Sequence, residues 1–237
     1  MGLLSRRSDA ALRAGARRAL VLAIGVFPFG AVYGVAVSQS DVNVFAGAGA
    51  SVAIFAGASQ LSLLELNVEG AAPLVAIGTA LAINARFILY SATLAPAFGE
   101  FPPRWRFGLA HLMTDQAATL SALEYETEHD PVARRWFYLG AASTLFTFWQ
   151  IGTLVGLVGG AQVPGGLQLA FIIPLMFTAL AVPALTRRPA VVAALVSVAV
   201  TFAAGGLPPG TNILVGGLVG IAAGAAVDRP RSTEAAR

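Results

Sequence analysis

Long apolar runs alternate with short polar stretches along the chain, at 19–38, 43–66, 72–96, 107–123, 136–158, 167–185, 189–205 and 210–227. A helix rises about 1.5 Å per residue, so about 20 apolar residues cross a hydrocarbon core of about 30 Å. The pattern predicts an all-α polytopic membrane protein, a bundle of about 7–8 transmembrane helices with broken or kinked members. Residues 136–186 and 189–227 contain no charge at all, and each stretch is long enough for two spans. Glycine and proline at 159–166 and 205–210 mark the turns between them.

Composition agrees with lipid as the solvent. Hydrophobic residues make up 57% of the chain and charged residues 11%, whereas a soluble domain carries about 25% charged residues. The charge is also uneven. Arg6, Arg7, Arg13, Arg17 and Arg18 crowd the start, and no charged residue follows until Asp41. By the positive-inside rule the N-terminus faces the cytoplasm. Residues 1–18 then form a basic cytoplasmic tail, 19–227 a single transmembrane domain, and 228–237 a second cytoplasmic tail. With eight spans, Arg134, Arg135, Arg187 and Arg188 fall inside, but Arg104 and Arg106 fall outside, against the rule. Six spans remove that conflict if 43–66 and 107–123 dip into the bilayer and return as re-entrant segments.

Charge inside a bilayer costs at least about 2.5–3.5 kcal/mol at its centre, so it faces an interior, water or a partner. Arg86 and Asp115 are the two charged residues well inside the expected spans. Thr79, Ile83, Arg86, Tyr90 and Thr93 step by four and three along one helical face, and His111, Asp115 and Thr119 step by four. The stripes suggest a polar-lined transport half, 19–123, beside an apolar scaffold half, 136–227. The competing reading is an Arg86–Asp115 pair that locks two helices. His111, one turn before Asp115, is a candidate proton relay or a satisfied buried histidine. Phe55-Ala56-Gly57-Ala58-Ser59-Gln60 and Gly25-Val26-Phe27-Pro28-Phe29-Gly30 are candidate helix breaks, where opened backbone can serve a substrate or the bend can serve packing. Glycines four apart at Gly152/Gly156/Gly160 and Gly216/Gly220/Gly224 predict close helix contacts, with Gly30/Gly34 a shorter version.

Other chemistries fit poorly. There is no phosphate-binding glycine loop, no Gly-x-Ser-x-Gly elbow, no pair of deep aspartates and no cysteine. Two histidines without spaced carboxylates offer no metal site. The expectation is a carrier, not an enzyme, with no cofactor and no nucleic-acid partner.

The same segments resemble the AzlC family of bacterial branched-chain amino acid permeases, over residues 13–224. The likeness rests on Phe27-Pro28-Phe29-Gly30 with Tyr33-Gly34, and on Phe55 to Gln60. It continues through Asn84-Ala85-Arg86, Leu89-Tyr90-Ser91, Leu94-Ala95-Pro96 and Met113-Thr114-Asp115. The resemblance implies export of valine, leucine or isoleucine, with methionine a further candidate, across the bacterial cytoplasmic membrane. It also implies pairing with a small AzlD-like membrane subunit. Gly57, Ser59, Gln60, Asn84, Arg86 and Tyr90 would hold the polar head of the substrate, and Phe27 and Phe55 its side chain. Asp115, Arg86 and His111 would couple or gate the cycle. Two acidic positions associated with the family read Gln116 and Ala170 here. A non-transporting scaffold subunit and a small-solute channel are the rival functions.

Overall fold

The structure is a computed structural model that describes residues 2–160, 178, 182 and 185–228. The expected span 167–185, with Ala170, and the turn at 161–166 lie outside the described residues, apart from isolated positions of the span. Among the described residues there are ten helices and no strand. They are α1 (Gly2–Ser38), α2 (Val44–Ile54), α3 (Gly57–Val68), α4 (Pro73–Asn84), α5 (Arg86–Gly99), α6 (Pro103–His111) and α7 (Asp115–Tyr125). The series continues with α8 (Pro131–Gly159), α9 (Arg188–Ala203) and α10 (Thr211–Val227). Two helices, α1 and α8, are long and apolar enough to cross a membrane unbroken, and the bent pair α4–α5 makes a third candidate span.

Helix α1 continues unbroken through Pro28, so the segment Gly25–Gly30 is not a break. The arginines of the basic start, Arg6 to Arg18, ride on the N-terminal half of the same helix.

Glycine lets α1 and α8 touch backbone to backbone. A Cβ on Gly15 would strike the Phe137 carbonyl, one on Gly34 the Thr153 carbonyl, and one on Gly156 the Ala31 carbonyl. Close approach of this kind supplies the dispersion and weak C–H···O contacts that hold helices together in lipid. The contacts also give a direction: residues 12–15 face 137–141, and 31–34 face 153–157. The two helices are therefore parallel. In the α9–α10 pair, Gly216 meets Thr201 and Gly224 meets Ala193, so those two run antiparallel.

Between α1 and α8, each of the three apolar segments folds as two half-helices. The first breaks at Phe55, in the left-handed region (φ 40°, ψ 49°), followed by Ala56 at φ −142°. The second bends by 40° at Ala85. The third opens at Leu112 to Thr114, where extended Thr114 caps α7 by accepting the Ala117 N–H at 3.2 Å.

Contacts of the half-helix ends show which end of α1 each pair adjoins. Tyr33, near the end of α1, donates its hydroxyl to the Gly47 carbonyl (3.0 Å), and Val42, Gly47, Leu64, Asn67 and Pro73 border one cavity. The α2–α3 pair thus enters and returns at the end of α1 that carries Ser38. The α6–α7 pair enters and returns at the opposite, basic end. Trp105 stacks edge-on against Trp136 (5.3 Å), while Tyr125 and Arg134 exchange two hydrogen bonds of 3.0 Å. Arg18 pairs there with Glu124. Helices α4 and α5 join the two ends, and Glu100 lies 3.8 Å from Arg134. The loop holding Arg104 and Arg106 therefore lies at the same end of the bundle as Arg134 and Arg135.

Candidate functional site

The two hairpin tips and the α4–α5 bend meet at mid-height beside α1 and α8. Local sequence chemistry holds the first tip open. Ser59 Oγ donates to the Ala56 carbonyl (2.9 Å) and accepts from Asn84 Nδ2 (3.0 Å). Gln60 Oε1 accepts the Ala56 N–H (3.2 Å), and its Nε2 donates to the Ala50 carbonyl (3.1 Å). Ser51 fastens the tip to α8. Its hydroxyl accepts from Trp149 Nε1 (2.8 Å) and lies 3.1 Å from Thr153 Oγ1, while its carbonyl accepts from Gln150 Nε2 (3.0 Å). The buried side chains of Ser51, Ser59 and Gln60 are thus paired within the break, as low dielectric demands.

Around the tips lies a cavity of about 630 Å³, within the range of about 300–1,000 Å³ typical of small-molecule sites. Three helices begin on its wall: α3 with Gly57 and Ala58, α5 with Arg86 and Phe87, and α7 with Asp115 and Gln116. Each helix start carries roughly half a positive charge. Arg86 Nη1 donates to Asp115 Oδ2 at 2.8 Å, and both side chains are 36% exposed. The pair is partly open to the cavity, not sealed in the core. Apolar walls come from Val26 and Phe29 of α1, from Phe55, and from Leu145 and Trp149 of α8. Phe55 meets Phe146 and Trp149 edge-on, at ring separations of 5.0 and 6.4 Å.

Of the residues singled out from sequence, the structure gathers Phe55, Gly57, Arg86, Tyr90 and Asp115 around this cavity. Ser59, Gln60 and Asn84 instead stand behind it as supports of the break. Phe27 is not on the wall; its neighbour Phe29 is. His111 ends α6 and its Nε2 lies 3.0 Å from the Val52 carbonyl, joining the two hairpin tips. The four-residue step to Asp115 spans a helix break and is not a helical turn. The break at Ala85 likewise splits the Thr79–Thr93 stripe between two helices. Thr114 and Gln116 were marked only through the family likeness, and Leu145 and Trp149 were not signalled by the sequence. For Trp149 the one available cue was a tryptophan deep within an uncharged run.

The family model for the AzlC protein matches residues 21–163. The chain belongs to the AzlC family. The matched region of this AzlC-family chain takes in every wall of the cavity and excludes α9 and α10. Among curated proteins, it is 23% identical over 184 residues to "Inner membrane protein YgaZ" of Escherichia coli, covering 73% of each chain. It is 34% identical over 113 residues to an "Uncharacterized membrane protein" of Archaeoglobus fulgidus, covering 47% of this chain and 46% of that one. No solved structure matches the chain. Family membership and the apolar helices together make this a membrane protein.

Proposed function

We propose that this AzlC-family chain is the transport subunit of a secondary exporter for small apolar amino acids, with valine, leucine and isoleucine as the best-fitting substrates and methionine next. The observation that carries the reading is the convergence of three helix starts and Arg86 on a cavity whose other walls, Tyr90 and Thr114 apart, are apolar. Half-helix starts at mid-membrane suit a carboxylate, and the apolar walls suit an aliphatic side chain. Asp115 suits the ammonium group. A zwitterion that slips between Arg86 and Asp115 exchanges their mutual contact for one partner each, so neither charge is stranded at depth.

The same reading places six crossing segments and two re-entrant hairpins in a bacterial cytoplasmic membrane, as the name of the Escherichia coli relative suggests. The basic end of α1 and α8 faces the cytoplasm. A small AzlD-like subunit, expected from the family, completes the carrier, and no catalytic step is assigned to either chain. The direct 2.8 Å contact of Arg86 with Asp115 favours one alternative, a purely structural lock.

Efflux of labelled valine from loaded cells expressing the chain with its small partner decides among these. A saturable efflux lost in Arg86→Ala and Asp115→Asn supports the exporter. Efflux unchanged in both variants makes the pair a lock, non-saturating flux makes the protein a channel, and no chain-dependent flux makes it a scaffold.

A further inference from the structure

A second cavity, of about 300 Å³, lies between α1, α2, α3 and α4. Its lining is apolar except for Tyr33, Gln60 and Asn67. Along α1 the larger cavity touches Val21 to Phe29 and the smaller one Tyr33 and Val37, so the two are stacked along the helix axis. What separates them is the tip of the α2–α3 hairpin. Phe55 and Ala56 face the larger cavity, and Gln60 faces the smaller. Gln60 is hydrogen-bonded through its Oε1 directly to the Ala56 amide. The barrier is therefore one peptide thick, closed by the Gln60 amide on one side and by the 3%-exposed Phe55 ring on the other. Phe55 is also the one non-glycine residue at positive φ among those described, a conformation that only its surroundings can maintain.

Resting on the carrier reading above, we propose that the smaller cavity is the outer vestibule of the same pathway and takes the same class of small apolar solute. The Gln60–Ala56–Phe55 barrier is the gate between vestibule and binding site. Helices α5 and α7 run from the larger cavity to the basic end, carrying Tyr90, Thr93, Gln116 and Thr119. In this reading the conformation described is shut at Gln60, and the larger cavity is reached from the cytoplasmic end.

The chain has no cysteine, so single cysteines report without background. Ala46→Cys lines the smaller cavity and Ala58→Cys the larger. A membrane-impermeant thiol reagent added to intact cells is expected to label Ala46→Cys. The same reagent is expected to label Ala58→Cys at least tenfold faster from the cytoplasmic side of inverted vesicles. Adding Gln60→Leu, which removes both hydrogen bonds of the latch, raises outside labelling of Ala58→Cys by tenfold or more. Phe55→Ala does the same by removing the ring, should Gln60→Leu fail to fold. The proposal is overturned if Ala46→Cys is labelled from the cytoplasmic side, or if neither gate variant changes outside access to Ala58→Cys. Labelling does not depend on valine. A protein that passes this test but fails to export valine loses its assigned substrate and keeps its gate.

Discussion

At the scale of single residues, the charged pair and the close glycines make the sharpest demands. A charge-assisted hydrogen bond contributes about 1.5–3 kcal/mol, equivalent to about 10–150-fold in affinity. Arg86→Lys keeps the charge but loses the planar fork, so half-saturating valine should rise about tenfold while the protein still elutes as a folded species. A half-saturation constant unchanged in Arg86→Lys would remove Arg86 from the substrate site. The glycines answer to a different force. Gly156→Ala drives a methyl into the Ala31 carbonyl, whereas a Cβ on Gly25 meets nothing within 4 Å. Overpacking costs about 1–3 kcal/mol, which lowers the melting temperature of a chain this size by roughly 2–12 °C. In detergent, Gly156→Ala should melt that much earlier and Gly25→Ala should match the parent. Sequence made the pair legible because charge at depth is rare. It could not separate lining from support: Ser59 and Gln60 look like ligands, and only coordinates reveal that their partners are the carbonyl and amide of their own break.

Half-helices are the organising unit at the next scale. The break at Phe55 is marked by Gly57 and its small neighbours, which is why the sequence announces it. The opening before Asp115 is less visible, because Thr114 is an ordinary residue until its cap is seen. Pro28 misleads in the opposite direction, since α1 absorbs it without parting. The two hairpins make opposite predictions to an all-crossing arrangement. With re-entrant α2–α3 and α6–α7, Arg104→Cys is labelled only from the cytoplasmic side and Ala72→Cys only from outside. Eight crossings reverse both labels. The exchange of these two accessibilities would reject the hairpins outright.

For the whole molecule, the parallel course of α1 and α8 is the constraint that sequence periodicity could not supply. Spacing identified Gly152 and Gly156 as a contact face without naming what it touches. If α1 and α8 both cross, the chain between them must cross an odd number of times, which six spans with two hairpins satisfy. A ligand that binds only the folded carrier at 100 times its Kd adds about 2.7 kcal/mol, a rise of roughly 5–11 °C in melting temperature. Valine should produce that shift, glycine much less, and Arg86→Ala should abolish it. Parallel pairing also has a consequence for biosynthesis. From Gly34 to Gly156 is 122 residues of translation (156 − 34), about 6–24 s at 5–20 residues per second. Throughout that interval the newborn first helix stands in lipid with its small-residue groove vacant. It is then open to whichever insertion factor or neighbouring helix arrives before its own eighth.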